Sequence, residues 1–284
     1  MRLRLVPQDT RFDFFSRPRL WLGISAFLMA LAFLSFLLQG LNYGIDFRGG
    51  TTIRTESAQP IDVGAYRDAL QALELGDVSI SEVFDPTFGP DQNVAMVRLA
   101  AQEGEESVSA ALIEEVRGAL QTVAPDIQFV SVESVGPKVS GELIRTAAIA
   151  VMLAIGAVLV YIWLRFEWQF ALGAVAALVH DVVLTIGIFS ELQIKFDLAI
   201  IAALLTIVGY SLNDTVVVFD RVRENLMKYK KRPLREVLNL SINETLSRTF
   251  MTSVTTLLAL VSLFVLGGDV IRGFVFAMIW GVIV

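Results

Sequence analysis

The chain has 284 residues, of which 55% are hydrophobic and 18% are charged, and its formal net charge is −6. A soluble protein of this size has about 25% charged residues. Here the apolar excess is concentrated in runs of about 20 residues, the length that spans a bilayer. The absence of cysteine and the single histidine exclude a disulfide framework, a thiolate metal site and a histidine-rich metal or haem site. The composition therefore indicates a polytopic membrane protein.

The first apolar run covers residues 20–38 and follows a basic segment, residues 1–19. The same pattern occurs in signal peptides, and Ala30-Leu31-Ala32 resembles a cleavage site. Because the apolar run continues beyond this tripeptide, we predict an uncleaved transmembrane helix over residues 20–40.

Five further apolar segments follow, and the last is shorter than a membrane span. They lie at 143–164, 170–189, 198–219, 250–266 and 270–284. The last has about 15 residues, whereas a transmembrane helix needs about 20. The sequence therefore predicts an all-α membrane bundle of six helices, of which the sixth is incomplete, with helices two to six in residues 141–284.

The distribution of basic residues predicts the orientation of the bundle. The fourth and fifth spans are joined by a basic segment, 220–248, which we predict to be a loop. The positive-inside rule places this loop and the basic N-terminal segment in the cytoplasm. There the loop lies near anionic lipid or a cytoplasmic partner rather than nucleic acid. Both chain termini are then cytoplasmic, and residues 41–140 lie on the opposite side of the membrane.

Residues 41–140 are predicted to form a soluble α+β module. Strands are expected at 51–55, 78–83, 94–99 and 127–132. Amphipathic helices are expected after the N-cap Asp62 and between the last two strands. The order β-α-β-β-α-β predicts a ferredoxin-like fold. The acidic run 103–106 lacks the ligand spacing of a calcium loop, so the module is expected to be neither a metal site nor an enzyme.

Asp214 lies inside the fourth predicted span, with Ser211 and Asn213 close to it in sequence. An ionised carboxylate at the centre of a membrane helix costs about 2.5–3.5 kcal/mol. Such a group persists where it is neutralised, paired or used for function. The alternatives are therefore a helix-packing aspartate held neutral by a neighbour and a proton or ion site, and the second is our prediction.

Two further sets of polar residues lie in the predicted spans. Arg248 opens the fifth span at a depth compatible with Asp214, either as a snorkelling interface residue or as the partner of the carboxylate. His180 and Asp181 lie in the middle of the third span, where the histidine is either a proton shuttle or a hydrogen-bonded packing residue. Because adjacent helical positions point about 100° apart, we do not expect both side chains to face one partner.

Several motifs in order along the whole chain resemble the SecF family of bacterial protein-export proteins. They are Gly44-Ile45-Asp46-Phe47-Arg48-Gly49-Gly50, Val135-Gly136-Pro137, Arg165-Phe166-Glu167-Trp168, Ala177-Leu178-Val179-His180-Asp181, Gly209-Tyr210-Ser211-Leu212-Asn213-Asp214-Thr215, Asp220-Arg221-Val222-Arg223-Glu224-Asn225 and Arg248-Thr249. The resemblance implies a non-enzymatic subunit with the resistance-nodulation-division architecture. It implies that such a subunit uses the proton-motive force to complete translocation on the periplasmic side, with Asp214 and Arg248 at the proton-coupling positions.

The resemblance also implies partners and a location. They are SecD, the SecYEG channel with its small membrane subunits, the translocating preprotein and the bilayer of the bacterial inner membrane. No cofactor besides the proton and no nucleic acid is expected. Two alternatives stay open at this stage. One is an exporter of lipid or small molecules from the same superfamily, and the other is a structural scaffold in which Asp214 only packs.

Overall fold

The computed structural model describes residues 10–71, 73, 75, 78–83, 88–89, 92–100 and 109–284. Residues 1–9 of the basic segment and the acidic run 103–106 lie outside these ranges. The helices in the described part are α1 (Pro18–Gln39), α2 (Ile45–Arg48), α3 (Val63–Gln71), α4 (Ala110–Val123), α5 (Pro137–Arg165), α6 (Trp168–Glu191), α7 (Leu198–Lys228), α8 (Leu234–Leu266) and α9 (Asp269–Ile283). The strands are β1 (Gly50–Ser57), β2 (Val78–Val83), β3 (Asn93–Leu99) and β4 (Gln128–Val135).

Five of the described helices are long and apolar enough to cross a membrane. These are α1, α5, α6, α7 and α8, and each contains one of the predicted spans. The apolar helix α9 is shorter, with 15 residues. The chain is therefore a mostly helical, multi-pass membrane protein that also contains a small antiparallel sheet.

The basic segment at 220–248 is mostly helical rather than a loop. Helix α7 continues to Lys228 and α8 begins at Leu234, so only residues 229–233 connect them. Residues 220–228 contain no glycine or proline and are rich in good helix formers. The helix therefore continues past its apolar part until the chain approaches Pro233, whose ring cannot be accommodated inside a helix.

The module between α1 and α5 contains a four-stranded sheet in the order β2-β3-β1-β4. Every neighbouring pair is antiparallel, and a bulge between Arg54 and Thr55 interrupts the β1–β4 register. Helices α3 and α4 cover one face and complete a core that includes Ile53, Tyr66 and Leu120. The elements follow one another in the predicted order β-α-β-β-α-β. The short helix α2, which precedes β1, was not predicted.

The chain before α1 is bound to the start of α8. The side chain of Asn243 accepts from Phe12 N–H at 2.9 Å and donates to Phe12 C=O at 2.8 Å. Asp13 accepts from Asn239 Nδ2 and Arg235 Nη2, each at 2.7 Å. The hydrogen bond from Asn239 lowers the pKa of Asp13 below its usual value. The two asparagines thereby hold a non-helical segment that turns directly before α1.

A close approach between two membrane helices depends on Gly187 of α6. A Cβ atom at this position would overlap Ala32 of α1. The small residues at this contact let the two backbones come together, as is usual where membrane helices pack. By contrast, a Cβ at Gly23 in the same helix as Ala32 would meet nothing within 4 Å.

Candidate functional site

Asp214 lies in α7, half-buried, with its Oδ1 atom buried and without a hydrogen-bond partner among the described residues. The hydroxyl of Thr252 in α8 lies close to the carboxylate. That hydroxyl also donates to the carbonyl oxygen of Thr249 at 2.8 Å. One oxygen of this carboxylate is therefore left without a hydrogen bond among the described residues, in a helix long and apolar enough to span a membrane.

Arg248 lies in α8 and acts on Asp214 electrostatically. Among the described residues, no ion pair within 4.0 Å joins the two side chains. The arginine is exposed on this chain, whereas Asp214 is half-buried. The structure therefore places the two predicted residues on facing helices without an ion pair between them, and their role in proton coupling stays a prediction.

The polar residues of α6 form a cluster with α7. His180 Nδ1 lies 3.1 Å from Asp181 Oδ1, and Ser211 Oγ of α7 donates to Asp181 Oδ2 at 2.7 Å. Asp181 is buried, with 8% of the residue exposed. The two neighbouring side chains contact each other rather than share one partner on another helix, because the imidazole Nδ1 lies near its own backbone and can reach the next carboxylate. The interhelical bond belongs to Asp181 rather than to His180.

Helix α7 connects the cluster that contains Asp181 with the polar residues around Asp214. Ser211 and Asp214 are three residues apart, a spacing that places side chains on neighbouring positions of one helical face. Ser211 contacts α6 through Asp181, and Asp214 faces α8 through Thr252 and Arg248. Polar side chains from three consecutive helices therefore follow one another through the apolar part of the bundle.

Two hydroxyls near this path were not singled out from the sequence. Tyr210 Oη and Thr249 Oγ1 are buried and have no hydrogen-bond partner among the described residues. Tyr210 lies one helical turn before Asp214, and Thr249 follows Arg248 directly, so their spacing from the charged residues was the available signal. Asn213, by contrast, is exposed on α7, and its predicted supporting role finds no contact in the described chain.

A fully bonded polar cluster fixes α7 against α8 on the side of the bundle where the two helices are joined. The buried side chain of Asn225 donates to Ser241 Oγ at 3.0 Å and to Glu244 Oε2 at 2.8 Å. Arg221 Nε lies 3.7 Å from the same Glu244 oxygen. Glu244 is one helical turn before Arg248, so this cluster sets the rotation and height of the arginine relative to α7.

His180 also lines a groove among α1, α6 and α9. The groove has a volume of about 660 Å³ and contains Ser35, Glu191 and Trp280 among mostly apolar side chains. Ser35 Oγ donates to Glu191 Oε2 at 2.9 Å at one end of it. The histidine therefore lies between the cluster with Asp181 and a surface that is open to the surroundings of the bundle.

Comparisons with known proteins give a consistent result. Residues 115–284 match the family described as protein export membrane protein SecD/SecF, C-terminal, and residues 34–61 match the SecD/SecF GG motif. A relative from Cereibacter sphaeroides named protein translocase subunit SecF is 64% identical over 283 residues, which is 100% of this chain and 87% of the relative. A relative of the same name from Magnetococcus marinus is 45% identical over 282 residues, 99% of this chain and 89% of the relative.

Two solved structures share the fold. The crystal structure of SecDF from Thermus thermophilus, described as a translocon-associated membrane protein, aligns with a TM-score of 0.86 at 35% identity over 98% of this chain. A second SecDF structure, in a super-membrane-facing form, aligns with a TM-score of 0.69 at 37% identity over 97% of this chain. The present chain spans 37% and 36% of the lengths of those two chains.

Proposed function

Because the chain belongs to the SecF family of protein-export membrane proteins, we propose that it uses the proton-motive force to promote late translocation of secreted proteins. Its relatives are translocase subunits, so its role is transport rather than enzymatic catalysis. The observation that supports proton coupling is the buried, unpartnered Oδ1 of Asp214 in a helix able to span a membrane.

The chemistry of Asp214 suits this role. An ionised carboxylate is costly in the bilayer, and the described residues supply it with an incomplete set of partners. Protonation removes the charge, and with it the attraction to Arg248. The two protonation states therefore favour different arrangements of α7 and α8. One charge that moves through 100 mV supplies about 2.3 kcal/mol, enough to shift a two-state equilibrium about 50-fold.

The proposal extends to location and partners. The chain lies in the bacterial inner membrane with both termini in the cytoplasm, and its sheet is a ferredoxin-like module in the periplasm. SecD is the principal partner, since the solved relatives are SecDF proteins of which this chain matches about a third. The SecYEG channel, its small membrane subunits and the preprotein are the further partners, and no resident cofactor is required.

The test is proton-driven export in inverted membrane vesicles that contain the chain together with SecD. Asp214→Asn keeps the size of the side chain and removes its titration, so export is expected to lose its dependence on the proton-motive force. Asp220→Asn is the matched control, because Asp220 lies in the same helix and forms an exposed ion pair with Arg165 at 3.1 Å. Equal export by the two variants would contradict the proposal.

A further inference from the structure

The short helix α2 is bound to the segment that precedes α7. Gly44 N–H donates to Phe196 C=O and Phe196 N–H donates to Asn42 C=O, each at 2.8 Å. The ring of Phe47 packs against Phe196 with their centroids 6.0 Å apart. Residues 42–47, which form the root of the module, therefore contact the segment just before the helix that carries Asp214.

Asp46 extends this contact to the backbone of α7. Its Oδ2 atom accepts from Leu198 N–H at 3.0 Å. Asp197, the N-cap, accepts from Ala199 N–H at 3.1 Å and from Ile200 N–H at 3.3 Å. The first amides of a helix have no partner inside the helix, and here one of them is satisfied by a carboxylate 152 residues away in the chain. The negative charge also interacts favourably with the N-terminal end of the helix dipole.

The glycines around α2 have two different roles. A Cβ at Gly44 would lie 3.0 Å from Lys195 Cε and 3.2 Å from Asp197 Cβ, so only glycine fits this close contact without displacement. Gly49 and Gly50, with φ angles of 73° and 122°, connect α2 to β1 in backbone conformations that favour glycine. The start of α2 thus packs closely against the segment that precedes α7, and the other end of α2 continues directly into a central strand of the sheet.

We propose that Asp46 is a positioning residue that transmits movements of α7 to the sheet. This inference rests on the proposed function, because it concerns how a change at Asp214 reaches the periplasmic module. A shift of α7 displaces Leu198, the bond to Asp46 carries α2 with it, and the Gly49–Gly50 connection passes the displacement into β1. Asp46 neither binds the proton nor contacts the preprotein in this scheme.

The test compares Asp46→Ala with Asp46→Asn in vesicles that contain the chain and SecD. Asp46→Ala removes the acceptor for Leu198 N–H, and we expect proton-driven export to fall about five- to tenfold while proton flux stays within about twofold. Asp46→Asn retains an acceptor oxygen and is expected to restore most of the export. The matched control is Asp62→Ala, since Asp62 accepts from Gly64 and Ala65 N–H at 2.9 and 3.0 Å within the module alone.

The separation of export from proton flux distinguishes coupling from a merely structural role. Export by Asp46→Ala at the level of Asp62→Ala, or a parallel loss of export and proton flux, would overturn the proposal. If Asp46→Ala does not accumulate in the membrane, Gly49→Ala tests the same connection, because the side chain strains a positive-φ position. Unchanged export in Gly49→Ala would likewise overturn it. Failure of the proposed function has a different signature, namely undiminished export by Asp214→Asn.

Discussion

One aspartate in the sheet-containing module and one in the membrane bundle differ in how completely they are hydrogen-bonded. In the module, Asp126 accepts from Ser57 Oγ at 3.0 and 3.1 Å and from Ala58 N–H at 2.6 Å. In the bundle, Asp214 has a buried oxygen without a hydrogen-bond partner among the described residues. Buried polar groups in folded proteins are almost always bonded, so the buried oxygen of Asp214 is the unusual one of the two, and its role in proton coupling stays a prediction.

The two regions also differ in how many of their apolar residues are buried. The module has a closed core in which Ile53, Val97 and Leu120 are fully buried. Among the most apolar windows of the membrane helices, 6% of residues are buried in α1 and α5 and 0% in α8. These three helices therefore leave most of their apolar surface for lipid or for helices of another chain, while the described part of the module contains a buried core of its own.

The contrast between the two aspartates is tested most strongly at Arg248, where we expect the largest loss of export. Arg248→Gln removes the charge that attracts Asp214, and export driven by the proton-motive force is expected to fall on the order of a hundredfold, or about 2.7 kcal/mol. Arg235→Gln is the control in the same helix, because Arg235 forms an exposed pair with Asp13 at 2.7 Å and exposed pairs contribute little. Similar export by both variants would place Arg248 outside the coupling mechanism.

The contact between α1 and α6 tests whether the bundle packs as tightly as the module core. Gly187→Ala introduces a Cβ that overlaps Ala32, and we expect the purified protein to lose about 2 kcal/mol of stability. Gly23→Ala is the control, since its Cβ meets nothing within 4 Å. Thermal unfolding in detergent measures both variants. Equal midpoints would show that α1 is held less closely than this contact implies.

The bond between Ser211 and Asp181 tests how much a satisfied polar group stabilises the bundle. Ser211→Ala removes a 2.7 Å interhelical hydrogen bond and is expected to cost about 0.6–1 kcal/mol. Thr206→Ala removes a hydroxyl that bonds to its own helix at Ala202 C=O, and its cost is expected to be smaller. A larger loss in Thr206→Ala than in Ser211→Ala would argue that the cluster with Asp181 does not hold α6 against α7.

The smallest expected effect belongs to the module. The hydrogen bond from Ala58 N–H lowers the pKa of Asp126 below its usual value. A lowered pKa in the folded state means that the carboxylate stabilises the module above the unfolded pKa and loses this contribution as the pH falls below about 4. The hydrogen-exchange protection factors of β1 and β4, which correct for the intrinsic exchange rate at each pH, should therefore fall at acidic pH more in the wild-type chain than in Asp126→Asn. The same pH dependence in both would contradict the assignment.

Most of the helices and strands could be predicted from the sequence, because the length of an apolar run and its periodicity are properties of a single segment. Each of the long apolar helices includes a predicted span, and the strand and helix order of the module was predicted. The extension of α7 to Lys228 was missed because a polar helix outside the membrane has no apolar signal. The four residues of α2 were too few to produce any periodicity.

The candidate site was predicted as a set of residues but not as a geometry. Asp214 and Arg248 were selected because charge in an apolar span is unusual, and this signal is local. The attachment of Asp181 to Ser211 depends on how two helices rotate against each other, which side-chain packing over their whole length determines. The same holds for Asn225 with Ser241 and Glu244. None of these contacts has a signature in one segment alone.

The bond between Asp46 and Leu198 also bears on the biogenesis of the protein. Its two residues are separated by 152 positions, so a growing chain exposes Asp46 well before α7 has entered the membrane. The beginning of α7 gains this acceptor only once it emerges beside the root of the module. The position of α7 is therefore stabilised by a segment that was synthesised much earlier, and the insertion of α7 and the folding of the module become steps of one assembly process.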